Sequence, residues 1–582
     1  MDAFLNVEHS ATGRRWVGPD AEAERRGLAV AQRTGLPEIV ARVLAARDVA
    51  PEEAEAYLAP TLRDLTPDPL SLRDMDVAAE RLVRAVTKGE RIAVFGDYDV
   101  DGAASSALIL RWLRALGRDA TLHIPDRMTE GYGPNVPAME RLGAAHDLIL
   151  CLDCGTAAPE PLAAAARAGA EVIVADHHLA GETLPPALAV VNPNRQDEDG
   201  GLGHLCAAAV VFLLLVQANR VLKAAGRQGP DLIGLLDLVA LATVADVAPL
   251  KGFNRALVRQ GLTVMSWRAR PGLAALCDVA RLTSPPSAHH LGFVLGPRIN
   301  AAGRVGTADL GARLLATDDP AEAEALAQRL DALNRERREV EAAVLDAAMR
   351  QAETRGADGP LVWAAAEGWH KGVVGIVAAR LKEAFGRPAV VIGLDGAEGT
   401  GSGRSVEGVD LGAAVATAAR EGLLLKGGGH RMAAGLTVAT ERLEPAMERL
   451  GALLARQGAG AGGPRDLRLD GAIAPGGATP ELCEMLEAAG PFGQSAPAPR
   501  FALAGVRVAY AKPMGEGHLR LSLDGAGGRC DAVAFRVGGT PLGECLGASA
   551  GAALHVAGRL EVDDWGGRRR ARLRVEDAAS AT

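Results

Sequence analysis

Three apolar runs in the first half of the chain each end abruptly in acidic or imidazole side chains. Ile92–Phe95 precedes a series of aspartates, Leu148–Leu152 precedes Asp153, and Val172–Ala175 precedes Asp176-His177-His178. Short runs of this kind are typical of buried strands, and an alanine-rich helical pattern separates the last two. Strands that alternate with helices predict an α/β domain with a parallel, doubly wound sheet.

The polar side chains at these strand ends are expected to converge. Alternate residues of an extended segment point the same way, so Asp97, Asp99 and Asp101 face one spot. The ends of neighbouring parallel strands lie side by side, where open α/β sheets bind ligands. Asp246, which closes a later apolar stretch, is a fourth candidate. Because adjacent carboxylates repel one another unless cations lie among them, the pattern predicts a divalent metal site.

The alternating aspartates followed by Gly102 also resemble the opening of an EF-hand calcium loop. That loop requires a glutamate at its twelfth position, where this chain has Leu108. It also requires a preceding helix, whereas a strand pattern precedes this motif. We therefore reject the EF-hand interpretation. A solvated acidic turn remains the structural alternative for this segment taken alone.

Further units are predicted along the chain. Residues 1–75 are expected to form a helical segment, and residues 76–315 carry the acidic strand ends. A polar run with leucines at helical spacing predicts a long connecting helix over 316–355. Residues 356–460 are expected to form a second α/β lobe, and the glycine-rich stretch that ends at 464 has the composition of a linker.

Residues 466–578 change to short alternating strands separated by glycines. Five such strands indicate a small barrel of the OB-fold type, which binds single strands through basic grooves and stacking. The predicted strands are Phe501–Tyr510, His518–Leu523, Ala532–Arg536, Ala553–Glu561 and Arg570–Glu576. Arg520, Phe535, Arg536 and the run 568–570 suit such a groove. A core position for Phe535 and edge-strand positions for the arginines are equally typical.

Composition narrows the classes of function. The chain has 582 residues, 48% of them hydrophobic, which predicts a globular protein with several cores. A net charge of −9 argues against nonspecific coating of nucleic acid, although a metal-charged cleft still accepts DNA. Scattered cysteines, a polar N-terminus and no apolar run of membrane-spanning length predict a cytoplasmic protein without membrane attachment. The sequence has no Walker, helix-turn-helix or zinc-finger pattern.

Several motifs together resemble the DHH phosphoesterase superfamily, which is named for the Asp-His-His found here at 176–178. The likeness is closest to its RecJ branch of single-strand-specific exonucleases, whose GDYDVDG motif is present at 96–102. Other matching segments are Gly296–Arg304, Trp369–Leu381, Gly401–Ser405 and Gly427–Gly435. One departure lies near the last domain, where the family tends to have PFG-x-GNP and this chain has PFGQSAP at 491–497.

The resemblance implies hydrolysis of phosphodiester bonds with two Mn²⁺ or Mg²⁺ ions. It assigns the metal-binding roles to Asp97, Asp99, Asp101, Asp153, His177 and Asp246. In this scheme Asp153 bridges the ions, Asp99 with Asp97 completes one site, and the other three residues complete the second. The mixed carboxylate and imidazole set favours manganese.

Two neighbouring positions have roles implied in the same way. A histidine often stands at the position of Phe95 in metal-dependent relatives, and Asp97 is its expected substitute here. His178 is expected to contact the scissile phosphate or to protonate the leaving oxygen.

The resemblance also implies substrate-binding residues, which are Arg127, Arg298, Arg304, Ser402, Arg404 and His430. The guanidinium group of arginine can donate two parallel hydrogen bonds to a pair of phosphate oxygens. Arg404 with Ser402, and either Arg298 or Arg304, are therefore candidates to hold a terminal 5′-phosphate. His430, in a glycine-rich loop, is expected to stack on a base or reach a phosphate.

We therefore expect a monomeric 5′-to-3′ exonuclease of single-stranded DNA that acts in DNA repair and recombination. A single-strand-binding protein and a helicase are candidate partners. The competing interpretation is a small-substrate DHH phosphoesterase that acts on oligonucleotides or cyclic dinucleotides. The additional barrel and the GDYDVDG variant count against that alternative.

Overall fold

A computed structural model describes residues 3–127, 129–460, 465–515, 517–548, 552–563 and 569–581. The strands are β1 (Arg14–Val17), β2 (Ile92–Gly96), β3 (Thr121–His123), β4 (Leu148–Leu152), β5 (Glu171–Ala175), β6 (Ala189–Val191), β7 (Val362–Glu367), β8 (Ala389–Asp395), β9 (Glu398–Arg404), β10 (Lys426–His430), β11 (Ala433–Ala439), β12 (Arg465–Arg468), β13 (Gly471–Ile473), β14 (Phe501–Met514), β15 (His518–Gly525), β16 (Gly528–Ala534), β17 (Ala553–Asp563) and β18 (Arg570–Ser580).

The helices are α1 (Ala21–Thr34), α2 (Glu38–Ala45), α3 (Ala54–Leu58), α4 (Leu62–Leu65), α5 (Met75–Lys88), α6 (Val100–Ala115), α7 (Val136–Ala145), α8 (Pro159–Ala168), α9 (Ala207–Ala224), α10 (Leu236–Ala245), α11 (Gly252–Ser266), α12 (Pro271–Val279), α13 (Ala288–His290), α14 (Gly296–Val305), α15 (Leu310–Ala316), α16 (Pro320–Arg355), α17 (Val374–Phe385), α18 (Leu411–Arg420), α19 (Leu443–Ala455), α20 (Pro480–Ala488) and α21 (Pro541–Ala548).

The first lobe is built on a five-stranded parallel sheet in the order β3-β2-β4-β5-β6. The predicted doubly wound sheet is thus confirmed. The chain runs from β2 outward to β3 and then returns to β4 on the other side of β2. This reversal of strand order places a topological switch point between β2 and β4, where α/β sheets bind ligands.

Helices cover both faces of this sheet. Side chains at Val94 and Leu150 join a core with α5, α6 and α9, whereas those at Ala93 and Phe95 face α7 and α8. This alternation follows from the pleat of each strand. Phe95 is fully buried in the second core, so its position contributes only packing to the neighbouring acidic segment.

Helix α9 is the one described helix that is long and apolar enough to cross a membrane by length and composition. About two thirds of it, 67%, is buried inside the protein. Its residues Val210, Phe212 and Leu214 pack in the same core as β2 and β4. The apolar composition of α9 is therefore explained by its buried position against the sheet.

A single helix of 36 residues, α16, links the two lobes, and it confirms the predicted connecting helix. Asp319 caps its first turn by accepting the N–H of Ala321 at 2.9 Å. The second lobe then forms a mixed sheet in the order β10-β11-β9-β8-β7. Only β7 and β8 are parallel in that sheet.

The C-terminal domain contains a closed five-stranded barrel, as the sequence predicts. Its order is β14-β15-β16-β18-β17, and β14 pairs again with β17 to close it. The parallel pairing of β16 with β18 is consistent with the OB-fold. Arg568, one of the arginines considered for the groove, lies outside the described residues.

The N-terminal segment, which the sequence predicts to be helical, contains helices α1–α4 and also the short strand β1. Strand β1 pairs in parallel with β12, more than 400 residues later in the sequence. Trp16 is fully buried there and donates from Nε1 to Asp577 Oδ2 at 3.0 Å. Val40 and Leu44 pack against Phe501 of the barrel. The two ends of the chain therefore form one packed unit, which local periodicity does not reveal.

The departure from PFG-x-GNP has a structural consequence at Ser495. Gly493 and Ala496 form an isolated bridge, and Ser495 between them has a φ of 58°. The family pattern has glycine at that position, and glycine adopts this left-handed conformation without steric cost. The turn adjoins the first lobe, because Gln494 accepts the N–H of Leu250 at 2.9 Å.

We expect Ser495→Gly to raise the free energy of unfolding by up to about 1 kcal/mol, since it relieves the strain of a left-handed serine. Ser266→Gly, at the exposed end of α11, is the matched control. It should lower stability by roughly 0.5–1 kcal/mol, because glycine is a poor helix former. Denaturant midpoints measure both changes. A loss of stability in Ser495→Gly would show that the serine side chain makes a compensating contact.

Candidate metal centre and adjoining arginine cluster

The GDYDVDG segment turns from the end of β2 into the first turn of α6. Asp99 is the N-cap of α6, and its carboxylate accepts the N–H groups of Asp101 and Gly102 at 2.9 and 3.1 Å. The oxygens of buried Asp101 accept two N–H groups at the start of α9, those of Ala207 and Ala208, at 2.7 and 2.8 Å. Helix N-termini favour negative charge, so they hold these aspartates in place.

Asp153 follows β4 and lies at the centre of the cluster. Its backbone has a φ of 60°, which is uncommon for a residue other than glycine. The residue is only 2% exposed, and its Oδ1 atom has no hydrogen-bond partner in the described structure. A buried carboxylate oxygen without a hydrogen bond is costly, and a cation is a partner that would satisfy it.

The imidazole of His177 lies among the carboxylates. Its Nε2 is 3.3 Å from Oδ1 of Asp153 and 3.8 Å from Oδ2 of Asp101. Its Nδ1 is 3.8 Å from Oδ2 of Asp246, the residue that caps the C-terminus of α10. The loop after β5, the strand end after β4 and the end of α10 thus meet at one point.

Ligand atoms within 4.8 Å of one another form three overlapping groups in the described residues. The groups are Asp97–Asp99–Asp153, Asp101–His177–Asp246 and Asp153–His177–His178. The structure therefore brings together all six residues that the sequence suggests as metal ligands. The oxygen-rich group and the group with an imidazole each suit a divalent cation such as Mn²⁺.

Electrostatics in the protein alone oppose full ionisation of this cluster. Burial and the charge of Asp99 raise the pKa of Asp97 to about 8. Burial and the charges of Asp101 and Asp99 raise the pKa of Asp246 to about 8. Burial, followed by the neighbouring carboxylates, also raises the pKa of Asp153. Divalent cations would remove this penalty by pairing with the ionised form.

His178 has both ring nitrogens engaged, which separates its role from that of His177. Its Nδ1 is 2.8 Å from Oδ1 of Asp176, and its Nε2 is 3.0 Å from the hydroxyl of Tyr132. Burial lowers the pKa of His178, but the hydrogen bond and charge of Asp176 outweigh it and raise that pKa to about 9. The hydrogen bond and charge of Asp176 therefore favour the protonated form of His178.

Three arginines from different segments interact with one another, and one of them, Arg127, also interacts with Asp97 of the acidic cluster. Arg127 lies over the ring of Tyr98, 5.4 Å from its centroid. Arg304 donates to the carbonyl of Gly372 at 2.9 Å, which joins the two lobes. Arg404 donates to Ser402 Oγ at 2.9 Å.

The charges of these three guanidinium groups affect one another. Burial and the charge of Arg127 lower the pKa of Arg404, and burial with the same charge lowers the pKa of Arg304 to about 10. A cavity of about 220 Å³ lies beside them and is lined by Arg127, Arg304 and His370, among others. Its wall carries two arginines and one carboxylate, Asp126, and the excess positive charge suits a phosphate group.

Two predicted substrate-binding residues are not part of this cluster. Arg298 donates to Asp331 at 3.0 Å and to the carbonyl of Val294 at 2.7 Å, so it fixes α14 to the connecting helix. His430 is exposed at the end of β10, and no described contact joins it to the cluster.

Sequence reasoning did not assign Tyr132 or His370 to the site. Tyr132 lies in a loop near Arg127. Its position between two glycines gave only a weak indication that it belongs to the site. His370 belongs to a segment that the resemblance marked, but no spacing rule connected it with Arg304. Both contacts depend on how loops from distant parts of the chain fold together.

Comparisons with known proteins agree with this geometry. Family models match at residues 91–243 (DHH family, N-terminal domain), 358–456 (DHHA1 domain) and 469–577 (RecJ OB domain). The chain is 35% identical over 565 residues to the single-stranded-DNA-specific exonuclease RecJ of Salmonella typhimurium, covering 93% of this chain and 96% of that protein. This chain belongs to the RecJ family.

Solved RecJ structures support the same assignment. The fold matches RecJ of Thermus thermophilus in complex with Mn²⁺ with a TM-score of 0.78 and 32% identity, covering 97% of this chain and 79% of that one. The Mg²⁺ complex of the same RecJ matches with a TM-score of 0.71 and 30% identity, covering 97% and 78%. The RecJ resemblance drawn from the motifs is thus confirmed.

We expect Asp153→Asn to weaken Mn²⁺ binding by about three orders of magnitude, because the shared carboxylate contributes several kcal/mol to cation binding. The fold should persist, since an amide fills the same volume. Calorimetric titration with Mn²⁺ measures the change, and Asp119→Asn on the exposed surface is the matched control. Unaltered Mn²⁺ affinity in folded Asp153→Asn would contradict the proposed ligand set.

The stabilisation by Mn²⁺ should increase from about pH 6 to about pH 8.5. In the metal-free protein the pKa values of Asp97 and Asp246 are raised to about 8, so the folded state retains protons that the unfolded chain has lost. The free energy of unfolding of the metal-free protein should therefore fall as the pH rises through this range. At the upper end Asp97 and Asp246 have already lost their protons, so Mn²⁺ binds without having to displace them. Thermal unfolding with and without Mn²⁺ tests this, and an equal shift at both pH values would refute it.

Proposed function

We propose that this protein is a metal-dependent exonuclease that degrades single-stranded DNA from its 5′ end. The observation that carries the proposal is the buried Oδ1 of Asp153, which has no hydrogen-bond partner and lies at the centre of overlapping ligand groups. It lies in a chain of the RecJ family, in a cluster whose Asp97 interacts with Arg127, and Arg127 and Arg304 line a common cavity. The relatives in this family are named as single-stranded-DNA-specific exonucleases.

We assign the ligands to two cations. Asp97, Asp99 and Asp153 would hold one ion, and Asp101, His177 and Asp246 would hold the other, with Asp153 shared. When bound, the ions would activate a water molecule and neutralise negative charge on the phosphate. Mn²⁺ and Mg²⁺ are the candidates, because RecJ structures are known with each.

The protein's own residues prepare the departure of the leaving group. Asp176 fixes the ring of His178 by accepting from its Nδ1 and from its backbone N–H. Since the pKa of His178 is raised to about 9, the ring carries a proton at neutral pH. We assign His178 the donation of that proton from Nε2 to the leaving oxygen, with Tyr132 keeping Nε2 oriented before the substrate enters.

We assign the 5′-to-3′ direction of digestion to the three clustered arginines. Arg404, held against Ser402, faces the same region as Arg127 and Arg304, and a terminal 5′-phosphate would be the group that matches several guanidiniums at once. The cavity of about 220 Å³ is small, which favours a chain end over the middle of a strand. Arg298 keeps a supporting role, because Asp331 already occupies its guanidinium.

The barrel is proposed to hold the strand outside the metal centre. Phe535 is 39% exposed, with Arg574 over its ring at 5.4 Å and His518 against it at 5.3 Å. Exposed aromatic and basic side chains of this kind stack with unpaired bases.

We further propose a cytoplasmic role in DNA repair and recombination, as a monomer that acts with a helicase and a single-strand-binding protein.

Arg404→Ala should reduce kcat/KM on 5′-phosphorylated single-stranded DNA by about tenfold or more, since a charge-assisted hydrogen bond is worth roughly 1.5–3 kcal/mol. The loss on 5′-hydroxyl substrate should be clearly smaller. End-labelled oligonucleotides with Mn²⁺ measure both rates and the direction of digestion. Arg420→Ala, on α18 of the same lobe, is the control and should have no effect.

Two results would reject this assignment. One is an equal loss on phosphorylated and hydroxyl ends in Arg404→Ala. The other is digestion that begins at the 3′ end in the unmodified protein.

A further inference from the structure

A second cationic cavity lies where the N-terminal segment meets the C-terminal domain. It has a volume of about 340 Å³ and shares no lining residue with the metal centre. Its walls come from the start of α1, the end of α2, the end of β12 and the segment that leads into β14. This volume is at the lower end of the roughly 300–1,000 Å³ typical of small-ligand sites.

The charged residues on its wall are predominantly basic. Four arginines face two carboxylates, which leaves a formal excess of two positive charges: Arg26, Arg42, Arg468 and Arg500 against Asp20 and Asp470. Both carboxylates are already engaged. Asp20 caps α1 by accepting the N–H of Ala23 at 2.8 Å, and Asp470 accepts the N–H of Arg500 at 2.9 Å.

Two of the arginines are also committed to partners outside the cavity. Arg26 pairs with Asp48 at 3.1 Å. Arg500 pairs with Glu576 at 2.6 Å. They contribute charge to the cavity, but their carboxylate partners occupy part of their hydrogen-bonding capacity.

The other two arginines retain donors for a ligand. Arg42 is partly exposed, and its ion pair with Glu38 is a long one, at 3.6 Å. Arg468 is exposed and forms no ion pair with any residue of the described chain. A loosely paired guanidinium next to an exposed one is an arrangement that a phosphate would complete.

The remaining wall is apolar and is formed by Val17, Ala23, Ala46, Leu469, Pro497 and Ala498. A simple inorganic anion would make little use of such a surface, whereas a sugar and base would cover it. We propose that this cavity binds a nucleoside monophosphate, with its phosphate on Arg42 and Arg468 and its nucleoside on the apolar wall.

The choice of ligand rests on the proposed function, because a nucleoside 5′-monophosphate is the product of such an exonuclease. A bound nucleotide would join α1 and α2 to β12, and so would connect the two ends of the chain. The site is therefore placed to sense product at the junction that supports the barrel.

Calorimetric titration of the full-length protein with thymidine 5′-monophosphate tests this proposal. The titration is done in EDTA, so that neither metal binding nor hydrolysis contributes. We expect two binding events, one at this cavity and one at the arginine cluster beside the metal centre. Arg468→Gln should weaken only the first, by about tenfold or more, and Arg404→Ala should weaken only the second.

Further variants and probes make the outcome decisive. Arg42→Met should reproduce the effect of Arg468→Gln, and Arg468→Lys should retain part of the affinity; denaturant midpoints verify folding. Thymidine should not bind detectably, and inorganic phosphate should bind more weakly than the nucleotide.

Equal affinity for inorganic phosphate and nucleotide would mean an adventitious anion site, and displacement of the nucleotide by a tighter-binding acidic peptide would mean a protein-docking site.

A single binding event, or two events that Arg468→Gln leaves unchanged, would overturn the proposal. Nuclease assays run in parallel keep this result separate from the proposed function. Arg468→Gln should digest single-stranded DNA at the unmodified rate in the absence of added nucleotide. An unmodified protein without nuclease activity would refute the proposed function, while the binding result would stand on its own.

Discussion

Electrostatic repulsion among carboxylates at one edge of a parallel sheet is the constraint on which the first lobe depends. Asp97, Asp101 and Asp153 are almost completely buried, and Asp246 is half-buried beside them. Charges of one sign in such a site raise the pKa values of the acids and cost free energy when they ionise. Cations bound among these carboxylates would relieve that cost, so metal binding and the local fold are expected to be coupled.

The backbone offsets part of this repulsion before any cation binds. The N-terminus of α9 donates two N–H groups to Asp101, and Asp99 caps α6. Both helices have their positive ends at the switch point of the sheet. The second lobe adds the guanidinium of Arg404, whose charge interacts with those of Arg127 and Arg304 in the first lobe. The contact between Arg304 and the carbonyl of Gly372 brings the lobes together. A phosphodiester would then lie between basic residues and metal-charged acidic ones.

The residues proposed as metal ligands were predictable from sequence because each one follows an element with a clear period. An apolar run of four or five residues marks a buried strand, and the polar residue after it marks the edge where ligands gather. Asp246 was visible for the same reason, although the element before it is a helix. The OB-fold was predictable because its strands and glycine turns are all local features.

The rest depended on contacts that sequence spacing does not encode. The pairing of β1 with β12 joins chain ends more than 400 residues apart. Tyr132 and His370 reach the site through loops, whose conformations follow from tertiary packing. The motif grouped Arg298 with the arginines proposed to bind phosphate. In the structure its guanidinium forms an ion pair with Asp331 of α16. Local pattern thus identifies residue types, and long-range packing decides which of them meet.

The acidic cluster is proposed to bind a pair of cations. Anomalous diffraction from crystals soaked with Mn²⁺ would locate such ions. We expect two peaks about 3.5–4 Å apart, one beside Asp97 and Asp99 and the other beside His177 and Asp246, with Asp153 between them. A map without a peak at this cluster, in crystals where Mn²⁺ is bound elsewhere on the protein, would rule out a cation pair at this cluster.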